Sequence, residues 1–363
     1  MYWYHHPAKE KDIVVSTRVR LARNLRDYPF AGRLPEEDAR KIISTIATLY
    51  KEKKDGNVAY DTLNMSDVSP TEALSLCERH YISREFSKST APRLLVRRED
   101  RGISIMVGEE DHLRIQSIRN GLAIEEAFAA AMEEESFLDG HVSFAYSEKL
   151  GYLTHCPTNL GTAMRISVMM HLPALTMSNR MDALNLQLQK IGLVIRGMYG
   201  EGSRADGNLY QISNQVTLGI TEEETLAKVR DVVSQIAEQE RTLRASITGE
   251  NWERLMDKAQ RAEGILRTAR LISSAEFLSL YTAARLGVTI GNTASLSCEL
   301  LDSLLFEVMP ATMALSGYVS DEAGLSKELR RDKNRAVLIQ KTIAATKKKT
   351  TKSKGTQKEA PST

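Results

Sequence analysis

The sequence predicts an α/β or α+β domain followed by a second, all-helical domain, and two patterns support this prediction. From residue 12 to about residue 240, segments that alternate like β-strands are interspersed with segments that have the periodicity of amphipathic helices. From about Glu250 onward the strand-like pattern ceases and only helix-like segments follow. Strands mixed with helices are typical of a sheet that packs against helices, whereas helices alone favour a bundle.

The strand-like segments place every second side chain on the same face, so that one face can be buried. They are residues 13–21, 102–107, 192–198 and 208–218. Further segments have helical periodicity, with acidic residues, glycine or proline at their ends. They are residues 35–51, 221–240, 251–274, 274–286, 295–307 and 325–346. We therefore predict domains at residues 1–245 and 250–346, followed by a disordered basic tail at residues 347–363.

Composition and charge are those of an ordinary globular protein. Of the 363 residues, 42% are hydrophobic and 26% are charged. The net charge is only +2, and six lysines against one glutamate in the tail leave the body slightly acidic, which argues against direct nucleic-acid binding. Three scattered cysteines, Cys77, Cys156 and Cys298, favour a reducing cytoplasm over a disulfide framework. We expect a cytoplasmic protein without membrane contact, because no apolar run approaches the roughly 20 residues of a span.

The first strand-like segment carries two arginines side by side. Arg18 and Arg20 share one face with Ser16, whereas Val19 and Leu21 share the other. Like charges on one face are destabilising, and neither guanidinium can lose its proton near neutral pH. The pattern therefore indicates an anion between or above the two arginines.

An acidic triplet follows the second strand-like segment. The strand would end at residue 107 and present Glu109, Glu110 and Asp111 at its tip. Resumed alternation would then place His112 and Arg114 on one face. Three adjacent carboxylates repel one another, and the triplet by itself is most simply interpreted as a solvated turn.

Residues 155–170 have the pattern of a helix that begins just after Cys156. Leu160, Met164 and Val168 recur at helical spacing behind a proline and two good capping residues. A thiol ahead of a helix N-terminus would have a lowered pKa and become reactive, whereas the alternative is a small buried cysteine. Arg165 on the second turn would be a charge in the protein interior.

A glycine-rich segment spans residues 192–207. It contains a G-x-G-x-x-A pattern at residues 200–205, but a strand-like segment follows in place of the helix that would bind a pyrophosphate. We interpret it as a loop that closes over a ligand, with Glu201 at its tip and Arg196 at its base. A hairpin with an exposed glutamate is the alternative. No P-loop motif occurs in the chain.

Residues 330–336 place Arg331 and Arg335 four residues apart on one helix face, with Asp332 beside them. Such a run is commonly a solvated face. The alternative is that the two guanidinium groups bind a phosphate together, while the carboxylate binds an adjoining cation.

Taken together, these segments resemble the phosphagen (guanidino) kinase family and, within it, the bacterial protein-arginine kinases of the McsB type. The matching stretches are residues 16–24, 109–114, 156–162 with Arg165, and 196–201 leading to 211–214. The resemblance implies a catalytic domain with a mainly antiparallel sheet flanked by helices. The helical second domain and residues 331–336 are similar to the protein-directed branch. Gly108 stands where the family usually has asparagine.

The resemblance also implies which residues bind the nucleotide. Arginines from four separate segments would bind the phosphates of ATP, and two further residues are possible nucleotide contacts. The arginines are Arg18, Arg20, Arg114, Arg165 and Arg196, and the further contacts are Ser16 and His112. Fixed guanidiniums of this kind stabilise the charge of a phosphoryl group in transfer. Family members hold Mg²⁺ mainly through the nucleotide, so no protein metal ligand is predicted.

For the acceptor, the resemblance implies an arginine, whose guanidinium needs a base because its pKa lies above about 12. Glu110 matches the catalytic carboxylate of the family, and Glu201 matches its companion. Together they would hold the planar guanidinium and remove a proton as the N–P bond forms. Cys156 matches the active-site cysteine, which would tune reactivity without acting as a nucleophile.

The implied function is that of an ATP-dependent protein-arginine kinase acting on proteins with exposed arginines. The short stretch before the first arginine strand leaves room for a polypeptide acceptor. We also expect a homodimer, phosphoarginine binding by Arg331, Asp332 and Arg335, and an activator protein. In a stress response, the mark would direct proteins to a Clp-type chaperone and protease or regulate a repressor. The alternatives are a kinase of free arginine and a non-catalytic phosphoarginine-binding adaptor.

Overall fold

The computed structural model describes residues 2–55, 58–198, 206–291, 296–316 and 324–355. The chain divides into two compact units, Met1–Ala245 and Ser246–Thr363. The first unit contains a large sheet, and the described part of the second contains only helices. Within the described ranges, no helix combines the length and apolarity that crossing a membrane requires.

The first unit is built on an eight-stranded sheet in which all neighbouring strands are antiparallel. Its strands are β1 (Val14–Arg23), β4 (Asp61–Asn64), β5 (Leu94–Arg98), β6 (Ile103–Val107), β7 (Leu113–Asn120), β10 (Met164–His171), β11 (Leu193–Gly197) and β12 (Leu209–Asn214). Two short hairpins, β2 (Lys54–Asp55) with β3 (Val58–Ala59) and β8 (Tyr146–Ser147) with β9 (Gly151–Tyr152), lie outside it. The strand order is β11-β12-β10-β1-β7-β6-β5-β4, so β1 is central.

Helices pack against the apolar face of this sheet. Val19 and Ile166 on neighbouring strands are fully buried in one core with Ala127 and Val229 from two helices. The helices of the unit are α1 (Glu36–Glu52), α2 (Pro70–Glu78), α3 (Arg84–Lys88), α4 (Ile124–Asp139), α5 (Pro173–Met177), α6 (Met181–Lys190) and α7 (Glu222–Ala245). Because Val19 alternates with Arg18 and Arg20 along β1, the two arginines lie on the other face of the sheet.

The second unit is helical and contains a buried charge network. Its helices are α8 (Gly249–Thr268), α9 (Ser274–Thr289), α10 (Cys298–Glu307), α11 (Pro310–Leu315) and α12 (Lys327–Gly355). Phe277 and Leu301 belong to its apolar interior. Asp302 on α10 accepts hydrogen bonds from Tyr281 at 2.6 Å and from Arg285 Nε at 2.9 Å, and all three residues are fully buried. This network joins α9 to α10.

The predicted fold class is confirmed, with an antiparallel sheet flanked by helices and a helical C-terminal region. The helix predicted from residue 157 onward is wrong. Pro157–Asn159 forms only a 3-10 turn, and Met164–His171 is strand β10. Gly161 and Ala163, at φ values of 100° and 48°, interrupt the helical course between them. The apolar spacing wrongly indicated a helix because β10 is buried on both faces, so nearly all its residues contact protein.

The basic tail also differs from the prediction where it is described. Helix α12 continues to Gly355 and so includes the first part of the segment predicted to be disordered. Lysine is a good helix former, and a helix already nucleated in a packed region extends at little cost. Residues 356–363 lie outside the described part of the chain.

Candidate active site

Strand register brings the five predicted arginines to one face of the sheet. Arg20 on β1 lies opposite Arg165 on β10 and opposite Gln116 on β7, which shares its face with Arg114. Met169, on the same face as Arg165, lies opposite Gln211 on β12, and Gln211 lies opposite Arg196 on β11. Residues directly opposite one another in an antiparallel sheet point to the same side. We call this surface the arginine face.

Two cavities that share much of their lining open on the arginine face. One, of about 510 Å³, is lined by Cys156, Thr158 and Asn159. The other, of about 260 Å³, is lined by Arg18 and His80. The side chains common to both linings are Arg20, Glu110, Arg114, Arg165 and Arg196. The structure thus assembles into one cleft all the predicted phosphate-binding arginines, the predicted base and the predicted active-site cysteine.

The arginines at the centre of the cleft are crowded and incompletely hydrogen-bonded. Burial, followed by the nearby charges of Arg165 and Arg114, lowers the pKa of Arg18 to about 10. Burial and then the charge of Arg18 lower the pKa of Arg20 as well. The Nε atoms of Arg18 and Arg20 are buried without a hydrogen-bond acceptor among the described residues. Both side chains stay cationic at neutral pH, so the cleft favours a polyanion with several acceptor oxygens.

The three carboxylates of the acidic triplet have separate environments. Glu109 is nearly buried and accepts hydrogen bonds from Arg114, from Ser83 Oγ at 2.8 Å and from the Glu110 N–H at 2.7 Å. Glu110 is more exposed and faces the cleft, with its Oε2 at 3.5 Å from Arg114 Nη2. Burial raises the pKa of Glu110. Glu109 therefore holds the arginine, while Glu110 is left to meet a ligand.

Asp111 faces away from its two neighbours. It is nearly buried, and its Oδ1 accepts hydrogen bonds from Asn24 Nδ2 at 2.6 Å and from the His155 N–H at 2.7 Å. The turn before it begins at Gly108, whose φ of 85° is left-handed, and a Cβ there would meet the Pro92 carbonyl at 2.8 Å. Glycine therefore suits this position sterically, where the family usually has asparagine.

Cys156 directly precedes the 3-10 turn and lines the larger cavity. Its Sγ is 3.0 Å from Thr158 Oγ1. The long helix on which the prediction of a reactive thiol depended is absent, so its macrodipole cannot act here. Hydrogen bonds from Thr217 Oγ1 to the carbonyls of Thr158 and Leu160, at 3.1 and 2.7 Å, hold the turn.

Two predicted nucleotide contacts lie elsewhere. Ser16 and His112 are absent from the linings of both cavities. His112 is buried, its Nδ1 accepts from the Leu25 N–H at 3.0 Å, and its Nε2 lies 2.9 Å from the Pro29 carbonyl. Both ring nitrogens are therefore engaged with backbone groups, which gives no support to a nucleotide contact. Glu201 lies outside the described residues.

The predicted phosphoarginine site is only partly assembled in the second unit. Arg335 is buried, and its guanidinium donates to the carbonyls of Val308 and Ile272 at 2.8 and 2.7 Å and to Asp332 at 2.6 Å. Arg331 is about a third exposed, with Glu328 at 3.6 Å. Arg335 is thus a connector between helix α12 and its neighbours, and Arg331 is the accessible cation of the pair.

Several residues of the cleft were not selected from the sequence. His80, Arg84 and Gln211 line the smaller cavity, and Asn214 and Thr217 line the larger one. Burial and the charges of Arg18 and Arg20 lower the pKa of His80 to about 3. His80, Arg84 and Thr217 belong to none of the stretches that match the family, whereas Gln211 and Asn214 bound the matching stretch 211–214. Only the alternation of the strand over residues 208–218 could have placed Gln211 on the arginine face.

An antiparallel sheet with guanidinium groups from four strands converging on one acidic side chain defines a phosphotransferase of the guanidino-kinase class. Comparison with protein families agrees. Residues 41–243 match "ATP:guanido phosphotransferase, C-terminal catalytic domain", and residues 252–354 match "Protein-arginine kinase McsB C-terminal domain". The chain belongs to the ATP:guanido phosphotransferase family, in its protein-arginine kinase branch.

Individual relatives extend over nearly the whole chain. The protein-arginine kinase of Geobacillus stearothermophilus is 38% identical over 94% of this chain and 93% of its own. That of Symbiobacterium thermophilum is 39% identical over 94% of this chain and 96% of its own. Among solved structures, the duplicated taurocyamine kinase of Schistosoma mansoni has a TM-score of 0.58 at 28% identity, over 63% of this chain and 33% of that one. Lombricine kinase shares the fold at 23% identity, with a TM-score of 0.58, over 67% of this chain and 70% of that one.

Proposed function

We propose that this protein is an ATP-dependent protein-arginine kinase, which transfers the γ-phosphoryl group of ATP to arginine side chains of other proteins. Membership of the protein-arginine kinase branch supports this proposal. The observation that carries it is the convergence of the five arginines on Glu110 within one cleft. Such a cleft combines electrostatic stabilisation of a phosphoryl group with a base at its edge.

The two cavities suggest where each substrate binds. We place the nucleotide in the cavity with Arg18, because the buried Nε donors of Arg18 and Arg20 require acceptor oxygens and phosphates supply them. We place the acceptor arginine in the cavity with Cys156. Transfer then takes place between them, beside Glu110 and the arginines common to both linings.

The reaction needs a proton acceptor and correct alignment. The acceptor guanidinium nitrogen attacks the γ-phosphorus, the bond from that phosphorus to the β,γ-bridging oxygen breaks, and ADP leaves with the electron pair. The guanidinium gives one proton to Glu110 as the N–P bond forms. A raised pKa brings this carboxylate closer to the basicity that its role requires. Glu201 is proposed as its companion and Cys156 as a side chain that tunes the acceptor, both by family resemblance.

Mg²⁺ is the metal that the kinase family implies. Among the described residues, no group of three His, Cys, Asp or Glu side chains is arranged to hold a metal ion. The arginines of the cleft repel a cation, whereas nucleotide phosphates attract one, so we propose that the nucleotide and water hold the magnesium. When bound, the ion supplies further neutralisation of phosphate charge.

The second unit and the cellular role are further parts of this proposal. We propose that the second unit mediates dimerisation and binds phosphoarginine through Arg331 and Asp332, with Arg335 holding Asp332. We also propose an activator protein, delivery of marked proteins to a Clp-type chaperone in a stress response, and a cytoplasmic location. These assignments rest on the family.

Mass spectrometry of an unfolded protein incubated with this enzyme and Mg·ATP, handled without acid, tests the function. Free arginine is supplied in a parallel reaction. The expected result is phosphorylated arginine in the protein. Transfer to free arginine alone would show that the protein is a kinase of free arginine. If no transfer occurs but phosphoarginine still binds, the protein is a non-catalytic phosphoarginine-binding adaptor.

A further inference from the structure

A buried pair of side chains, Asp111 and Asn24, connects the segment that carries Glu110 to the segment that carries Cys156. Asp111 directly follows Glu110 in the chain, and its Oδ1 accepts from the backbone N–H of His155, which directly precedes Cys156. Asn24, at the end of the central strand, donates its Nδ2 to the same Oδ1 and to the Leu153 carbonyl at 3.0 Å. The Asp111 carboxylate, next to Glu110 in the chain, is therefore hydrogen-bonded to the segment that carries Cys156.

The remaining contacts of Asn24 complete this connection. Its Oδ1 accepts from the His112 N–H at 2.9 Å, so the amide holds the residue after Asp111 as well. Asn24 and Asp111 are 1% and 2% exposed. A buried hydrogen-bonded carboxylate in a low-dielectric environment fixes its partners more tightly than a surface one would.

We propose that Asp111 is a positioning residue for phosphoryl transfer, which sets the distance between Glu110 and Cys156 across the acceptor guanidinium. Asp111 does not line either cavity and does not touch the reacting groups. It acts by fixing the backbone of both segments through His155 and Asn24. This inference rests on the proposed function, because it assigns Glu110 and Cys156 to opposite sides of the acceptor.

Hydrogen-bond acceptance, and not charge, is the property that the geometry requires of Asp111. Both donors meet the same oxygen, and an asparagine side chain keeps a carbonyl oxygen in that place. Alanine removes the acceptor, so the part-buried His155 N–H and one hydrogen of Asn24 Nδ2 lose their partner. The pair of variants Asp111→Asn and Asp111→Ala therefore separates positioning from a purely electrostatic role.

The experiment compares the two variants in three measurements: kcat for arginine phosphorylation, the Kd of the nucleotide, and the alkylation rate of Cys156 by iodoacetamide. We expect Asp111→Ala to lose about 100-fold in kcat, as expected when reacting groups are misplaced by about 1 Å. Nucleotide Kd should stay within roughly twofold, because the pairing of β1 with β10 holds Arg18, Arg20 and Arg165, and Glu109 holds Arg114. The alkylation rate should change at least about fivefold, while Asp111→Asn should stay within roughly fivefold of the wild type in all measurements.

A matched control separates positioning from loss of stability. Glu134 is equally buried and accepts from Tyr50, Tyr60 and Lys53, none of which lines the cleft. Glu134→Ala should lower thermal stability but keep kcat and the alkylation rate of Cys156. Should Asp111→Ala not fold, Asn24→Ala removes one donor of the same oxygen, and its kcat and alkylation rate should change in the same direction.

The outcomes that overturn the inference are distinct from failure of the proposed function. An alkylation rate and a kcat unchanged in Asp111→Ala would overturn it, as would an Asp111→Asn variant as impaired as Asp111→Ala. If the wild-type protein phosphorylates no arginine at all, the proposed function fails. The alkylation series requires no acceptor, and it still decides whether Asp111 fixes the Cys156 segment.

Discussion

Arg20 and Arg165 lie directly opposite each other on β1 and β10, at the centre of the arginine face. Like charges directly opposite each other destabilise a sheet, in which cross-strand pairs contribute on the order of 0.2–1 kcal/mol each. Arg114 lies on the neighbouring strand β7 and adds its own charge to the potential at Arg20. The sheet therefore holds a destabilising arrangement that a bound polyanion relieves.

A first prediction follows for Arg20. The substitution Arg20→Met keeps a long side chain but removes the charge. It should raise the stability of the ligand-free protein by about 0.5–1 kcal/mol, because repulsion on the arginine face falls. The same change should weaken nucleotide binding at least about tenfold. Chemical denaturation and a nucleotide titration measure the two effects. Arg230→Met, at an exposed site with acidic neighbours, is the control and should not stabilise. A destabilised Arg20→Met would contradict the interpretation.

Glu110→Gln tests the base. The amide retains the shape of the carboxylate but cannot accept the guanidinium proton, so transfer should fall by about 10²–10⁴-fold with nucleotide affinity largely kept. Single-turnover kinetics and a nucleotide titration check both points. Glu133→Gln, at an exposed site where the carboxylate pairs with Arg101, should leave the rate unchanged. Turnover of Glu110→Gln within a few-fold of the wild type would disprove the assignment.

His80 should make the protein sensitive to mild acid. Burial and three neighbouring arginines lower its pKa from 6.5 to about 3, so the folded protein keeps it neutral while the unfolded chain binds a proton below about pH 6.5. Its contribution to stability is therefore complete above that pH and falls by about 1.4 kcal/mol per pH unit well below it. Denaturation at pH 7 and pH 5 measures this effect. His80→Gln should lose less stability over the same interval, and an equal loss in both proteins would refute the prediction.

The buried network of the second unit should be sensitive to the loss of one partner. Asp302→Ala leaves Arg285 buried without its carboxylate and should cost about 3–5 kcal/mol. The double variant Arg285→Met with Asp302→Leu removes both charges and should lose less than the single variant. Denaturant unfolding compares them. A double variant that is less stable than Asp302→Ala would show that the ion pair itself contributes more than we expect.

Arg331 and Arg335 should respond differently to substitution. Arg331→Ala removes an accessible cation and should weaken phosphoarginine binding with little change in stability. Arg335→Ala removes a buried side chain that holds two carbonyls and Asp332, so it should destabilise the protein by about 3 kcal/mol. Calorimetric binding and thermal unfolding separate the effects. Normal phosphoarginine binding by the folded Arg331→Ala variant would show that Arg331 is not part of a phosphoarginine site.

The arrangement of Arg18 and Arg20 could be predicted from the sequence because alternation within a strand depends only on neighbouring residues. The character of residues 164–171 could not. Met164 and Val168 are buried because β10 pairs with β1 and β12, and both partners are far away in the chain. A strand covered on both faces loses its alternation and can match a helical period by coincidence.

The sequence by itself determined the fold class, the family and the chemical type of each site residue, since these depend on local pattern and residue identity. Only the tertiary structure decided the roles of Glu109, Asp111 and His112, which differ through contacts with Ser83, Asn24 and Leu25. The physical reason is that a side chain's availability for chemistry depends on which distant groups satisfy its hydrogen bonds. Packing of the whole chain, and not the order of neighbouring residues, brings those groups into contact.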